Sequence, residues 1–250
     1  MTVAPPWRVA LALAVLVGVF LLVLTLARVR VRRDGLVAVA RAAVQLTLVA
    51  LVIAWVFRHP EGVAVYLVLM LGAAAWTSVR RIGLGRSTMP ILVLAIGTGA
   101  LSAVVPVLAS GALPFRAQTI VPFTAQIIGG AMTAASLVGG RLRDDARTQW
   151  DVVEGWLSLG ATPRQAVTDL GRRAVARSLV PALDQTRSAG LVTLPGAFVG
   201  LLLGGASPAE AAQVQLLVLV GLLAAESVSA VVTARFLADR IGSRQPVPTD

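Results

Sequence analysis

The sequence has 250 residues, of which 57% are hydrophobic and only 14% are charged, too few charges to cover a soluble domain of this size. Its net charge of +10 comes from arginine, since lysine is absent, and there is no cysteine and a single histidine, His59. Disulfides, thiolate metal sites and cysteine nucleophiles are therefore excluded, and a histidine-based metal centre is disfavoured. The composition predicts an all-α integral membrane protein.

Predominantly apolar stretches with few or no charges, each long enough to cross about 30 Å of hydrocarbon, predict about seven transmembrane helices. In chain order the candidates are Val9–Ala27, Leu36–Phe57, Gly62–Val79, one span within Ser87–Phe115, Ala117–Gly140, Ser188–Ala209 and Ala211–Arg235. The sixth is the least regular, because Leu194, Pro195 and Gly196 interrupt it and Gly200 follows. Proline frees a backbone carbonyl, so this span is predicted to be a broken, gating or substrate-facing segment. Tight packing through its small residues is the alternative.

Most arginines follow the first, third, fifth and seventh spans, whereas the opposite side holds Arg8, Arg58 and Arg116. The positive-inside rule then places the N-terminus outside and the C-terminus in the cytoplasm, in a bacterial inner membrane. Because the arginines are spread over four segments, they do not predict a nucleic-acid-binding face.

Residues 141–187 form the largest segment outside the spans and predict a cytoplasmic helix–turn–helix within a single permease domain, 1–250. The first helix, about Asp145–Leu159, carries an apolar stripe of Trp150, Val153, Trp156 and Leu157. The second helix is expected to end before Pro181. Burial against a partner protein or the membrane surface is favoured over a solvated loop, since two tryptophans need cover.

The turn between these two helices carries strong capping signals. Gly160 suits the end of the first helix, and Thr162, Pro163 and Gln165 predict an N-cap, a first helical residue and a capping box. A stop and restart of this kind favours a rigid docking element.

Polar residues inside predicted spans are candidates for function. Arg41 and Gln45 lie one turn apart, although Arg41 could snorkel to the interface. Glu226 could contact substrate or pair with an arginine, and Gln126, Gln213 and Gln215 could line a pathway or hydrogen-bond between helices.

Several blocks resemble the Fet-type permease family, which contains bacterial iron-export permeases and plant aluminium-tolerance half-transporters. The blocks begin at Ala40, Val121 and Gly190, and the run Glu154–Ala166 resembles the EAA-type coupling loop of bacterial ABC permeases. Trp156 departs from that loop's pattern, and Gln126, Ala197 and Phe198 stand where such permeases often have methionine. Gly130 stands where they often have asparagine.

The resemblance implies ATP-driven export by a homodimer in membrane lipid, with ATP-Mg bound by a separate P-loop ATPase and no cofactor in this chain. It assigns ATPase docking to Glu154, Gly155, Leu159, Gly160, Ala161, Thr162, Pro163 and Gln165. Candidates for the pathway or its gate are Arg41, Gln45, Pro122, Gln126, Met132, Leu194, Pro195, Gly196, Gly200 and Glu226.

Two other function classes are weaker. A P-loop needs a lysine at the phosphates, so an ATP site within this sequence is not expected. A gradient-driven secondary transporter or channel would need acidic relays, and Glu226 is the single candidate. An intramembrane enzyme lacks the usual sets of nucleophile and base.

Overall fold

The computed structural model describes residues 5–29, 31–59 and 61–243, which are almost entirely α-helical. Pairing of the strand type is limited, in these residues, to an isolated bridge between Ala189 and Thr193. The helices are α1 Pro6–Leu26, α2 Arg32–Arg58, α3 Gly62–Ile82, α4 Met89–Ala109, α5 Ala117–Thr148, α6 Trp150–Ser158, α7 Pro163–Ala166, α8 Thr168–Ser188, α9 Gly196–Leu203 and α10 Pro208–Gly242. The prediction of an all-α integral membrane protein is confirmed.

The contacts divide the chain into two compact units, residues 1–60 and 61–250. The first unit consists of α1 and α2, whose apolar side chains are largely exposed, as membrane-spanning helices require. The two helices meet closely at Gly35, where a Cβ atom would overlap the ring of Phe20. The assignment of the whole chain to a single permease domain stays a prediction.

The second unit is built around α3, α4, α5 and α10. Along α5, Phe123 and Ile127 lie against Gly221, and the carbonyl of Ala131 accepts a hydrogen bond from Ser229 at 3.0 Å, so α5 and α10 are parallel. Close packing of α4 on α10 depends on Gly99, because a Cβ atom there would lie 2.6 Å from the carbonyl oxygen of Ala225.

One end of this bundle gathers the C-terminal ends of three helices and the start of α4. Ile82, the last residue of α3, lies against Gly139, and its carbonyl accepts a hydrogen bond from Arg143. Arg240, near the end of α10, donates to the hydroxyl of Ser87 at 2.7 Å. We call this end, with the α6–α7 segment beyond it, the basic end.

Six helices of the described residues are long and apolar enough to cross a membrane, one fewer than expected. The predicted sixth span, Ser188–Ala209, is wrong as a single helix. Residues 189–195 are non-helical, and α9 has only 8 residues. The broken character expected from Pro195 is present, but the break extends over several residues.

The chain nevertheless returns along the bundle between α5 and α10. Because α5 and α10 are parallel, α10 begins at the end opposite to where α5 finishes, and 149–207 must connect the two ends. Arg177 of α8 pairs with Asp145, and Arg173 donates to Gln149 at 3.4 Å, so α8 runs antiparallel to α5. The amphipathic α8, the link 189–195 and α9 together make the return that the sequence analysis assigned to one apolar helix.

The predicted end of the second helix of the 141–187 segment, before Pro181, is wrong. Pro181 lies inside α8, which continues to Ser188. An internal proline costs a helix about 3 kcal/mol, but burial of the flanking Ser178 and Ala182 holds the helix together across it.

Candidate functional site

The segment 149–167, here called the tip segment, joins α5 to α8 at the basic end. Helix α5 continues to Thr148, so the predicted first helix starts five residues late, after a break at Gln149. The tip segment therefore extends directly from a 32-residue helix, without a flexible loop before it.

The predicted apolar stripe of α6 is correct in three of its four positions. Val153 is fully buried, and Trp150 and Leu157 pack against the core from either side of it. These residues have the i, i+3, i+7 spacing of one helix face. Trp156 lies off that face and is 54% exposed. Burying one face of α6 fixes the orientation of its other face.

The turn after α6 has the predicted geometry. Gly160 has φ +87°, a conformation that costs an ordinary residue roughly 1–2 kcal/mol. The backbone N–H of Gln165 donates to Thr162 Oγ1 at 3.3 Å, and the backbone N–H of Thr162 donates to Gln165 Oε1 at 2.8 Å. These two hydrogen bonds complete the capping box. A Cβ atom at Gly242 would collide with the backbone of Pro163, so α10 directly supports this turn.

The predicted docking residues divide between two faces of the tip segment. Leu159, Gly160, Ala161 and Gln165 line a groove of about 520 Å³ together with Trp156. Glu154 and Pro163 line a different groove of about 410 Å³, beside Gly242 at the end of α10. Gly155 is exposed on α6 and lines neither groove, and Thr162 serves the capping box.

The first of these grooves presents apolar side chains to its surroundings. Leu159 is 82% exposed, and Val152 and Trp156 are exposed beside it. Arg173 and Asp169 lie on its α8 side. An apolar group with a charged border, held on a rigid turn, has the make-up of a protein-docking surface.

Among the pathway candidates, the structure brings Gln126 and Glu226 to one face of the bundle. A Cβ atom at Gly130 would lie 2.8 Å from Glu226 Oε1 and 2.5 Å from Leu222 Cδ2. The glycine therefore makes room for the carboxylate. Gln126 is exposed one turn before Gly130 on α5, and Thr133 is exposed one turn after it. We call this surface the Glu226 face.

Glu226 is half-buried and has no hydrogen bond or ion pair with any residue that the structure describes. The predicted alternative, an arginine partner, is therefore not seen in that part of the chain. A carboxyl group in the middle of an apolar helix is costly against lipid, so the Glu226 face requires water or protein beside it.

The link 189–195 and α9 hold four further candidates. Gly190 has φ +83°, and the amide of Gly190 donates to the carbonyl of Thr193 at 2.9 Å, which closes a tight turn. Leu194 is exposed, while Pro195 is the N-cap of α9 in an extended conformation. A Cβ atom added at Gly196 or at Gly200 would have no described atom within 4 Å, so packing through these two glycines is not seen within the described chain.

A buried glutamine anchors α9. Gln215 of α10 accepts a hydrogen bond from the Phe198 amide at 3.2 Å, which satisfies one of the free N–H groups at the start of α9. Of the two readings for Gln215, the structure supports hydrogen bonding between helices. Its part in holding α9 follows from three-dimensional contact, which the sequence analysis could not identify.

The remaining candidates lie elsewhere. Met132 packs against the core, and its carbonyl accepts a hydrogen bond from Ser78 at 3.4 Å. Pro122 lies exposed inside α5. Arg41 and Gln45 are exposed on α2, within the first unit. The described residues contain no group of three or more His, Cys, Asp or Glu side chains able to hold a metal ion.

Comparison with known proteins identifies relatives along most of the chain. It is 34% identical to the "UPF0014 membrane protein STAR2" of Oryza sativa over 82% of this chain and 73% of the relative. It is 33% identical to "Protein ALUMINUM SENSITIVE 3" of Arabidopsis thaliana, over 78% of this chain and 72% of that protein. Identity to the "Probable iron export permease protein FetB" of Escherichia coli is 30%, over 89% and 87% of the two chains.

No solved structure matches the chain significantly. The model of the family described as "Uncharacterised protein family (UPF0014)" matches residues 6–241. The resemblance inferred from the sequence blocks is thereby confirmed: this multi-pass membrane protein belongs to the UPF0014 family.

Proposed function

We propose that this chain is the membrane-spanning permease subunit of an ABC-type exporter, driven by a separate ATPase subunit. The observation that carries the proposal is the tip segment. It holds exposed Trp156 and Leu159 on a turn that Gly160, the Thr162–Gln165 capping box and the contact with Gly242 keep rigid. A rigid apolar projection at the end of a helical bundle can transmit movement from a docked partner to the helices behind it.

The ATP site belongs to the partner in this proposal, since the sequence has no lysine for a P-loop. The positive-inside rule supports a cytoplasmic position for the basic end, where Arg80, Arg81 and Arg86 join the arginines of the tip segment and α10. This is also where a soluble ATPase would meet the permease.

The Glu226 face and the link 189–195 support a homodimer with a pathway between its two copies. Polar side chains and non-helical backbone within the apolar part of a membrane protein require water or protein as neighbours. A second copy facing the Glu226 face would supply both. The name of the Escherichia coli relative supports metal ions, and iron in particular, as the substrate class.

The test is to purify the tagged protein gently from its native membrane and identify what accompanies it. We expect a stoichiometric P-loop ATPase with the unmodified chain. Gly160→Val should lose the ATPase at least about tenfold while remaining inserted, because a β-branched residue is poorly tolerated at φ +87°.

Gly160→Asn is the matched control, since asparagine tolerates the left-handed conformation and should retain most of the ATPase. Equal retention by the valine and asparagine variants would refute docking through this turn. If the unmodified chain stays alone even with candidate ATPases supplied, a gradient-driven carrier becomes the better proposal. The observation that favours this second candidate is Glu226, a carboxyl group in an apolar helix with no partner among the described residues.

A further inference from the structure

A third groove at the basic end lies between α8 and α10, on a different side from the tip segment's apolar surface. It has a volume of about 460 Å³. Arg164, Arg172 and Arg235 contribute its cationic side chains. We call it the basic groove.

The floor of the basic groove is apolar and made of small residues. Val167 and Ala238 are buried there, and Gly171 lies opposite Ala234, with 3.9 Å between a Cβ atom at Gly171 and the Ala234 Cβ. These small side chains leave the space that larger residues would fill. Val231, one turn deeper into α10, extends the apolar floor towards the middle of that helix and is 53% exposed.

The arginines of the groove leave positive charge without a full complement of partners. Arg164 Nη2 is buried and has no hydrogen-bond partner among the described residues. Arg235 makes no ion pair there, and the pair between Arg172 and Asp169, at 3.2 Å, is exposed and therefore weak. Among the residues that the structure describes, no aspartate or glutamate lines the groove. An anion is the complementary occupant.

The position of the groove identifies the source of that anion. Arg235 lies about one turn before Arg240, which bonds to Ser87 where α3 ends and α4 begins. Helix α10 has 35 residues, about 50 Å, which exceeds about 30 Å of hydrocarbon. Its last turns carry Arg235, Asp239 and Arg240, so we place these turns outside the hydrocarbon. The arginines are thus at the depth of lipid phosphates, with the apolar floor leading inwards from them.

We propose that the basic groove binds an anionic phospholipid, with the phosphate between the three guanidinium groups and an acyl chain along the apolar floor. Basic pockets between helices at this membrane surface are suited to such headgroups. The proposal needs only that the chain spans a membrane, and it does not depend on an ATPase partner or on the transported substrate.

The test uses the purified full chain in detergent and native mass spectrometry with dioleoylphosphatidylglycerol or dioleoylphosphatidylcholine. We expect tighter retention of the anionic lipid, and about tenfold or greater weakening in the double variant Arg172→Gln/Arg235→Gln. Arg81→Gln removes an exposed arginine at the same end but outside the groove, and should leave binding unchanged.

A second pair of variants tests the floor without changing charge. Gly171→Leu should fill the floor and weaken binding of the anionic lipid, whereas Gly171→Ala has room for its Cβ and should bind nearly normally. The proposal is overturned if both lipids bind equally or if Arg81→Gln weakens binding as much as the groove variants. Equal competition by glycerol phosphate would also overturn it, since the site would then recognise a soluble phosphate.

Discussion

Glu226 is the residue whose environment demands an explanation beyond packing. Its carboxylate occupies space that a side chain at position 130 would take, since a Cβ there would come within 2.8 Å of Oε1. Polar Gln126 and Thr133 flank it on the exposed surface of α5. A carboxylate placed beside exposed oxygen-bearing side chains can attract a cation during passage without holding it permanently.

We therefore expect Glu226→Gln to reduce metal transport into inverted vesicles by at least about tenfold, the loss expected when one charge contact of roughly 1.4 kcal/mol is removed. Capture of the proposed ATPase partner should remain normal, because Glu226 lies in the apolar part of α10, away from the tip segment. Glu226→Asp keeps the charge and should recover part of the transport. Full transport by Glu226→Gln would show that the carboxylate is not on the pathway.

At the level of single residues, the sequence predicted local chemistry well. The capping box at Thr162 and Gln165 was predictable because every atom involved lies within four consecutive residues. The division of the docking candidates between two grooves was not predictable, because α8 and the end of α10 form the far walls of those grooves.

Among the elements, the link 189–195 with α9 differs most from a regular membrane helix. Leu191 and Val192 are 88% and 84% exposed, and the amide of Phe198 depends on the Gln215 side chain for its hydrogen bond. Few contacts hold this element, so it is suited to small movements relative to α10.

Changing Pro195 should alter this element selectively. Pro195→Ala removes the fixed φ at the N-cap of α9 and frees the link, so we expect transport to fall more than ATPase capture does. Gln215→Leu should likewise lower transport more than ATPase capture, because it leaves the backbone N–H of Phe198 unpaired at a cost of about 1–3 kcal/mol.

For each variant, transport in vesicles and copurification of the proposed ATPase are measured on the same preparations, and the two losses are compared. Pro208→Ala serves as control, because it replaces a proline at the start of a different helix, α10, outside the link. Parallel loss of transport and ATPase capture in the Pro195 variant would indicate a purely structural role for the link.

The sequence located the apolar helices of the bundle, because each carries its own hydrophobic signal, but α5 and α10 continue to Thr148 and Gly242, well past the ends of the predicted spans at Gly140 and Arg235. It also predicted the helix that corresponds to α8, but it placed the end of that helix before Pro181, whereas α8 continues to Ser188. Buried Ala174, Ser178 and Ala182 show that one face of α8 packs against the rest of the unit. Such packing depends on three-dimensional contacts, which the sequence alone does not show, and it holds the helix together past Pro181.

For the whole molecule, the return of the chain between α5 and α10 determines the topology. Counting the six long apolar helices alone would place the end of α5 and the start of α10 on one side of the membrane. The parallel packing of α5 and α10 requires the opposite, with Ala209 far from the tip segment.

The absence of cysteine from the sequence allows a direct test by single-cysteine labelling. Exposed positions are available in the tip segment, in the connection between α4 and α5, and at the start of α10, through Ser158→Cys, Ala112→Cys and Ala209→Cys. A membrane-impermeant maleimide added to intact cells should label Ala112→Cys and Ala209→Cys, and should reach Ser158→Cys only in inverted vesicles. If Ala209→Cys, like Ser158→Cys, were labelled only in inverted vesicles, residues 149–207 would not cross the membrane. Helix α10 would then enter the membrane from the same side as the tip segment.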